Sequence, residues 1–394
     1  MGLRFVTLFG IVASIVTGIA LGILGYRGWF DGVTSSRQAD VIEEAARYIR
    51  TNYVDDIEDG QLVTDALRGM LDGLDDYSKY LDRDAYERLQ ADTAGRFGGI
   101  GIELGLRGGY FTIIESLDDA PAARAGVAAG DRLIAVDGES LKGKKLLDVI
   151  ELIRGPRGSR VNLALTRSGS RFEVALSRAR IDVESVRARW LEPGYAYVRI
   201  ARFQEDTGHD FARAVLALAR EGEGEGEGEG QKKGGIAGLV LDLRNNPGGV
   251  LGASVDTADV LLEQGLLICT ESRPGVQRLE HRALTRDLLN GAPAAVLING
   301  GSASGSEIVA SALQDHGRAA VLGVKSYGKG SVQPVLPLAG DRALKLTTGH
   351  YYRPNGDSLH ANGVVPDVRM HSSDDEAWIE RAMQSVKGEV LAAR

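Results

Sequence analysis

The stretch from residue 294 to residue 309 reads AAVLINGGSASGSEIV and joins three local patterns. Five apolar residues of a buried strand come first, two glycines follow, and the apolar spacing after the serines is helical. This order predicts a sharp strand-to-helix turn that exposes Ser304. Because the first amides of a helix are unpaired, they would stabilise an oxyanion formed at this serine. Helix capping by Ser302, Ser304 or Ser306, with Glu307 supporting the first turn, is the alternative interpretation.

The chain after Gly194 alternates β-type runs with helical stretches, which is typical of an α/β domain. We expect strands near residues 196–200, 236–243, 294–298, 319–324 and 343–347, and helices near 210–220, 255–264 and 307–316. The predicted fold class is therefore α/β for residues 181–385, with a tail at 386–394.

Two regions of different character precede this domain. Residues 31–95 carry apolar positions on helical faces and predict a small helical region. Residues 96–180 contain short β-type runs punctuated by glycine, with one helix near 146–153. This second pattern predicts a compact antiparallel β domain.

The N-terminal segment, residues 1–30, contains an uncharged apolar run from Phe5 to Tyr26. Such a run is long enough to cross a bilayer as a helix, either as a membrane anchor or as a signal peptide. We expect an uncleaved anchor, since no small-x-small cleavage site precedes the polar region. A single anchor heading a large body predicts that the body lies outside the cytoplasm.

Composition excludes several classes of function. The formal net charge is −8 and the pI is about 5.4, and no basic stretch alternates with aromatic residues, so nucleic acid is not an expected partner. The single cysteine, Cys269, lies in an apolar run and predicts a buried side chain, with a nucleophile as the alternative. No zinc-type spacing and no dinucleotide fingerprint occur, so no metal or cofactor is expected.

A low-complexity segment interrupts the α/β domain at residues 221–235. It alternates glutamate with glycine and ends in QKKGG. Like charges without apolar residues predict a flexible solvated loop.

Two sequence blocks, SASGSE at 302–307 and YGKGSVQ at 327–333, resemble the signature blocks of the carboxyl-terminal processing (tail-specific) serine protease family. Similar family blocks follow in the family's order across roughly residues 38–385: RGMLDGLD at 68–75, FGGIGI at 97–102, LDLRNNPGG at 241–249 and GVVPD at 363–367. The resemblance implies a crotonase-like α/β catalytic domain at 181–385 and a PDZ domain at 96–180.

The resemblance assigns the catalytic residues. It implies Ser304 as nucleophile, Lys329 as general base and Gln333 as the residue that orients the lysine amine. It also implies an oxyanion hole made by an amide of Gly248 or Gly249 together with that of Gly305.

General chemistry sets conditions on this assignment. A lysine accepts a proton only when it is neutral, which requires burial or cationic neighbours. A Ser-His-Asp triad remains the competing arrangement, since its partners would meet in space and the chain has six histidines.

The glycine-rich block at 97–102 resembles the carboxylate-binding loop of a PDZ domain. The resemblance implies that loop amides capture a terminal carboxylate while the peptide adds to the sheet edge. The predicted substrate-binding residues of this domain are Gly98, Gly99, Ile100, Gly101, Ile102, Leu147, Ile150 and Arg154. Arg154 is expected either to link peptide occupancy to the active site or simply to cap its helix.

These expectations describe a membrane-anchored serine endopeptidase with its catalytic body in the periplasm, which cleaves proteins at or near their C-termini through an acyl-enzyme. Its expected partners are proteins with exposed C-termini and the membrane, and a homo-oligomer or an activating adaptor is compatible with the sequence. A PDZ adaptor with an inactive protease-like domain and an acyl-transfer enzyme acting on small esters are the alternative functions.

Overall fold

The computed structural model describes residues 36–107, 109–117, 119–144, 146–182, 184–224, 235–273, 278–284, 286–371 and 374–388. The chain divides into two compact units, Met1–Leu74 and Asp75–Arg394. The predicted membrane helix at 1–30 lies outside the described residues. Within the described ranges, no helix is long and apolar enough to cross a membrane.

The first unit contains two helices, α1 (Ser36–Asn52) and α2 (Asp59–Asp72). Arg50 lies in the last turn of α1, where a positive charge complements the helix dipole. Gly73 follows the end of α2. Helical structure agrees with the prediction for this part of the chain.

The second unit opens with a short strand, β1 (Lys79–Leu81), and helix α3 (Arg83–Thr93). The Asp82 carboxylate caps α3 by accepting the Ala85 N–H at 2.9 Å. The helical region predicted at 31–95 also contains β1, a strand that the sequence did not predict and that pairs with a strand far along the chain. Three residues carry too little periodicity to reveal a strand.

An antiparallel sheet with strand order β3-β4-β5-β7-β8, and β6 beside β5, forms the domain predicted at 96–180. Its elements are β3 (Ile102–Arg107), β4 (Tyr110–Ser116), α4 (Pro121–Arg124), β5 (Arg132–Val136), β6 (Glu139–Ser140), α5 (Leu146–Ile153), β7 (Arg160–Arg167) and β8 (Ser170–Ser177). Helix α5 packs on the sheet through Val149 and Ile153, which share a buried core with Leu163 and Leu165. Among the described residues, strand β3 pairs with β4 alone, so its other edge has no strand partner there.

A two-stranded ribbon connects this domain to the rest of the unit. Strand β2 (Arg96–Gly99) runs antiparallel to β9 (Ala179–Asp182). Glycine is required at position 98, because a Cβ there would lie 2.0 Å from the Gly155 carbonyl oxygen. Nearby, the Arg178 guanidinium donates to the Ile153 and Leu152 carbonyls at 2.8 and 2.9 Å and so caps the end of α5.

The rest of the second unit is built on a six-stranded sheet with order β10-β11-β12-β15-β16-β21. Its strands are β10 (Val186–Glu192), β11 (Tyr195–Ile200), β12 (Gly238–Asp242), β15 (Ala294–Ile298), β16 (Ala319–Gly323) and β21 (Val368–Arg369). All neighbours from β11 to β21 run parallel, and every residue of β12 and β15 is buried. Continuous apolar runs such as AAVLI are what a strand buried on both faces requires.

Helices cover both faces of this sheet. One face packs against α6 (Thr207–Gly224), α7 (Leu251–Asp259) and α8 (Gly305–Asp315). The other face packs against α9 (Asp375–Val386). The structure therefore contains the α/β layering predicted for residues 181–385.

Two smaller sheets complete the unit. One has the order β14-β13-β20-β17 and comprises β13 (Leu266–Glu271), β14 (Leu279–Arg282), β17 (Ser331–Val332) and β20 (Gly349–Tyr352). The other has the order β1-β19-β18 and comprises β1, β18 (Val335–Leu338) and β19 (Arg342–Lys345).

The loop predicted at 221–235 begins later than expected, because α6 continues through Gly224. Gly222 lies against the Trp190 ring, which a Cβ would approach to 3.5 Å. Residues 225–234, the rest of that prediction, lie outside the described residues.

Candidate active site

Ser304 occupies the turn between β15 and α8. Its backbone has φ 52° and ψ −111°, a conformation that costs a residue other than glycine about 1–3 kcal/mol. The residue is half-buried, while Ala303 and Gly305 on either side of it are buried. The strand-to-helix turn predicted from the sequence is present, and it places Ser304 at the N-terminus of α8.

The two neighbouring serines have structural roles. Ser302 and Ser306 are both fully buried. The Ser302 hydroxyl donates to the Leu243 carbonyl at 2.8 Å, and the Ser306 hydroxyl donates to the Asn246 carbonyl at 2.8 Å. These bonds attach the turn to the segment after β12 and leave Ser304 as the accessible serine of the block.

The Glu307 carboxylate is the central acceptor of the site. It is completely buried, and one of its oxygens, Oε2, accepts the N–H of Ser304 at 2.8 Å and the N–H of Lys329 at 2.9 Å. The other oxygen, Oε1, accepts the Gly328 N–H at 2.6 Å and the Ser326 hydroxyl at 2.5 Å. A single carboxylate therefore holds the backbone of both predicted catalytic residues.

Lys329 is half-buried, and its Nζ lies 5.1 Å from the centre of the Tyr77 ring. Burial, and then the neighbouring Lys79 ammonium, lower the pKa of Lys329, while the Glu307 charge acts in the opposite direction. Lys345 is also half-buried, and burial, Lys329 and Lys79 lower its pKa. The site thus meets the condition for a lysine base, namely burial beside other cations.

Gln333 lies near this lysine in sequence but has another partner. Its Nε2 donates to the Thr347 hydroxyl at 3.2 Å, and that hydroxyl donates to Asp75 Oδ1 at 3.2 Å. Among the described residues, no hydrogen bond joins Gln333 to Lys329. A direct orienting contact between them therefore stays a prediction.

The amides predicted to form the oxyanion hole lie around Ser304. A Cβ on Gly248 would lie 2.7 Å from the Ser304 Cβ and 2.8 Å from the Gly305 nitrogen. The Gly248 N–H already donates to the Asn246 side chain at 2.9 Å. Within the described part of the chain, the N–H groups of Gly249 and Gly305 have no hydrogen-bond partner. Of the two alternatives from the sequence, Gly249 is the one with a free donor.

The predicted PDZ residues line a groove of about 210 Å³ between the open edge of β3 and helix α5. Gly99, Ile100, Gly101, Ile102, Ile150 and Arg154 all contribute to its walls. Gly98 instead packs against Gly155, and the side chain of Leu147 lies outside the described part of the structure. In the described residues, no hydrogen bond engages the N–H groups of Ile100 and Gly101.

Arg154 connects this groove to the catalytic part. Its guanidinium stacks 4.0 Å from the centre of the Phe97 ring and donates to Asp92 at 3.0 Å. Asp92 belongs to α3 and also lies 3.7 Å from Arg202, which follows β11. The side chain thus has the contacts needed for a link between the two domains.

The histidine nearest Ser304 in sequence lies at the other end of its helix. His316 caps the far end of α8, and its Nε2 lies 2.7 Å from the Leu266 carbonyl oxygen. Across the described residues, no hydrogen bond joins a histidine to Ser304, and no cluster of side chains is suited to hold a metal ion. Cys269 is buried, as predicted, and burial raises the pKa of its thiol.

Comparison with known proteins identifies the family. A carboxy-terminal-processing protease of Bartonella bacilliformis is 37% identical over 344 residues, which cover 85% of this chain and 77% of that protein. Residues 194–370 match peptidase family S41. The chain belongs to the carboxy-terminal processing proteases. It is a serine-type peptidase that processes proteins at their C-termini.

Two other regions of this carboxy-terminal processing protease also match known domains. Residues 113–167 match a PDZ domain, and residues 31–85 match the N-terminal domain of the activating protease CtpB. CtpB of Bacillus subtilis is 32% identical over 347 residues, covering 85% of this chain and 68% of that protein.

A solved structure confirms the α/β fold of the protease. The photosystem II D1 C-terminal processing protease superimposes with a TM-score of 0.53 at 29% identity, covering 89% of this chain and 98% of that chain.

Sequence reasoning missed three contributors to the site. Glu307 was considered only as support for a helix turn, although a glutamate three residues after the serine could have been examined as a site residue. Tyr77 and Lys345 carried no local signal at all. They reach Lys329 through the pairing of β1 with β19, which joins distant parts of the chain.

Proposed function

We propose that this protease cleaves peptide bonds with Ser304 as nucleophile and Lys329 as general base. The observation that carries the proposal is the shared acceptor: the N–H groups of both residues donate to the same oxygen of the buried Glu307 carboxylate. Two segments fixed on one buried charge keep a constant separation, which a proton transfer between their side chains requires.

The reaction follows from the groups at hand. The neutral Lys329 amine takes the proton of the Ser304 hydroxyl as Oγ attacks the scissile carbonyl carbon. The oxyanion that forms meets the free N–H groups of Gly249 and Gly305 and the positive end of the α8 dipole. The Lys329 ammonium then returns the proton to the leaving amine. Water, deprotonated by the same amine, then attacks the acyl carbon, and the Lys329 ammonium returns that proton to Ser304 Oγ as the ester bond breaks.

We also infer that the PDZ domain captures the substrate's C-terminal tail. A peptide added along the free edge of β3 would direct its terminal carboxylate toward the unpaired amides of Ile100 and Gly101. Ile102 and Ile150 supply apolar walls for the last side chain. The contact of Arg154 with Asp92 gives a route by which a bound tail would influence the catalytic part.

An extracytoplasmic, membrane-anchored location is proposed from the sequence alone. The support is the uncharged apolar run Phe5–Tyr26 ahead of the helical unit. An alkaline phosphatase reporter fused after Leu74 tests it, because this reporter is active only outside the cytoplasm. An inactive fusion, with an active control carrying a known export signal, would reject the location.

The catalytic proposal is tested by mass spectrometry of fragments from an unfolded protein. We expect C-terminal fragments with the wild type and none with Ser304→Ala or Lys329→Arg, since a guanidinium keeps the charge but does not deprotonate. Lys325→Arg is the matched control, because Lys325 is exposed and lies in the same loop. Substantial cleavage by Lys329→Arg would eliminate the lysine-base mechanism.

A further inference from the structure

Tyr77 covers the catalytic lysine, although nothing in the sequence marks it as part of the site. The centre of its ring lies 5.1 Å from Lys329 Nζ. Tyr77 comes from the segment that connects helix α2 to strand β1, far from the serine block in sequence. Its side chain is half-buried.

Hydrogen bonds to the backbone at Tyr77 and Ser78 hold the turn that carries the Tyr77 ring. Asp75 Oδ1 accepts the N–H of Tyr77 and the N–H of Ser78, each at 2.8 Å, and Oδ2 accepts the Ser78 hydroxyl at 2.7 Å. The Thr347 N–H donates to the same hydroxyl at 3.1 Å. Although burial acts to raise it, these hydrogen bonds lower the pKa of Asp75, so the carboxylate stays ionised and holds the turn.

The ring also neighbours Tyr327. Interaction with the Tyr327 side chain, and burial after it, raise the pKa of Tyr77. Tyr327 lies two residues before Lys329, so the tyrosine pair and the lysine belong to one local assembly.

In the described residues, the charged groups around the Lys329 amine do not form an ion pair with it. Lys79 and Lys345 are directly opposite each other on β1 and β19, and directly opposed residues project to the same face. In the described residues, none of these three lysines forms an ion pair. The nearby carboxylates of Asp75 and Glu307 are each engaged by several donors, and Asp76 is exposed.

Two effects of the ring on the lysine oppose each other. The face of an aromatic ring attracts a cation, by about 0.5–1 kcal/mol at an accessible site, which favours the protonated amine. Exclusion of water disfavours the protonated amine, and burial is the largest cause that lowers the pKa of Lys329. If the removal of water outweighs the attraction, the ring favours the neutral amine.

We propose that Tyr77 is a positioning residue that acts through Lys329: its ring keeps water from the amine and so favours the neutral form that a general base needs. The inference rests on Lys329 being the general base. On this proposal, the turn Asp75–Ser78 is part of the catalytic machinery. This turn directly follows the N-terminal helical unit in the chain.

The test is the pH dependence of kcat/KM for a peptide substrate. With Tyr77→Ala, water reaches the amine, so the acidic limb of the profile moves to higher pH. We expect a loss of about ten-fold or more at pH 7, recovering to within about three-fold of the wild type above pH 9, because raising the pKa of the amine by about one reduces its neutral fraction tenfold. Tyr77→Phe keeps the ring and should retain the wild-type profile within about three-fold.

Two controls accompany these variants. Tyr110→Ala removes a comparable tyrosine–cation contact in the PDZ domain, where the ring lies 4.5 Å from the Arg132 guanidinium, and should leave the profile unchanged. Asp75→Ala removes the acceptors that hold the turn without altering the ring and should move the acidic limb in the same direction as Tyr77→Ala. Melting temperatures of all variants show whether each is folded, and Asp75→Ala carries the test if Tyr77→Ala is not.

Three outcomes would overturn the inference. An equal loss at every pH would make Tyr77 a purely structural residue, an unchanged profile would remove it from the site, and a displacement to lower pH would mean that the ring favours the cation. The general-base role of Lys329 is tested separately, because an active Lys329→Arg enzyme would reject it. If Lys329→Arg is inactive and the pH profile of Tyr77→Ala is unchanged, only the role of the Tyr77 ring is rejected.

Discussion

Replacement of Glu307 by glutamine separates the two things that this carboxylate does. It accepts four hydrogen bonds while completely buried, and its charge favours the protonated form of Lys329. The substitution preserves size but exchanges one acceptor oxygen for an NH2 group. Two of the four hydrogen-bond donors around residue 307 then point at the NH2 group, which does not accept a hydrogen bond.

The magnitude follows from those bonds. Hydrogen bonds to a charged group contribute about 1.5–3 kcal/mol each, so the loss of two is on the order of 3–6 kcal/mol in total. We expect the melting temperature to fall by at least about 5 °C. Because one of the two oxygens that join the Ser304 turn to the loop at 326–329 is lost, kcat should fall by at least about a hundredfold, the effect of a misplacement near 1 Å.

The charge acts in the opposite direction. Without the anion, the pKa of Lys329 falls further, so the neutral amine persists to lower pH and the acidic limb of the residual activity moves to lower pH. If charge dominated, Glu307→Gln would be more active than the wild type near neutral pH. The number of lost hydrogen bonds indicates that geometry dominates, and the movement of the limb would still report the charge.

The assay measures kcat against pH by mass spectrometry of cleaved peptide, with Glu263→Gln as a control at an exposed glutamate. A Glu307→Gln enzyme with kcat within about three-fold of the wild type and an unchanged melting temperature would refute the reasoning.

Three further predictions concern the serine block, the oxyanion hole and the PDZ groove. Ser306→Ala should lower stability by about 1–3 kcal/mol, because it leaves the buried Asn246 carbonyl short of a donor, and denaturation should show it less stable than Ser304→Ala. Gly248→Ala should reduce kcat by at least about a hundredfold with little change in KM, since its methyl group would crowd Ser304. Steady-state kinetics that show an unchanged kcat would exclude close contact between residue 248 and Ser304. Amidation of a peptide's C-terminus should weaken its binding about ten- to a hundredfold relative to the free acid, as fluorescence anisotropy can measure. Ile150→Asp should abolish this difference. Equal binding of the acid and the amide by the wild type would exclude capture of the carboxylate.

The sequence predicted the parts of the fold whose signals are local. The strand Ala294–Ile298 and the helix Leu146–Ile153 lie where the apolar patterns placed them. Their hydrophobic runs are bounded by glycine or polar residues, and no distant contact is needed to define them.

The missed elements depend on distant partners. Strand β1 exists because Lys79–Leu81 pairs with β19, and Glu307 is buried because the loop at 326–329 surrounds it with donors. Neither relation leaves a trace in local composition. The resemblance to a protease family supplied Ser304 and Lys329, whereas the groups that adjust the lysine became visible only in three dimensions.

The pairing of β2 with β9 has a consequence for how the protein can be altered. The chain enters the PDZ domain at Gly99 and leaves it at Ala179, and these two residues are direct neighbours in the ribbon. The whole PDZ domain is therefore an insertion whose ends already meet, so a short turn could close the gap without stretching the flanking strands. A substitute domain with similarly adjacent termini could be grafted at the same junction. If the PDZ domain captures the tail as proposed, recognition of the substrate could be changed while cleavage of the bond is kept.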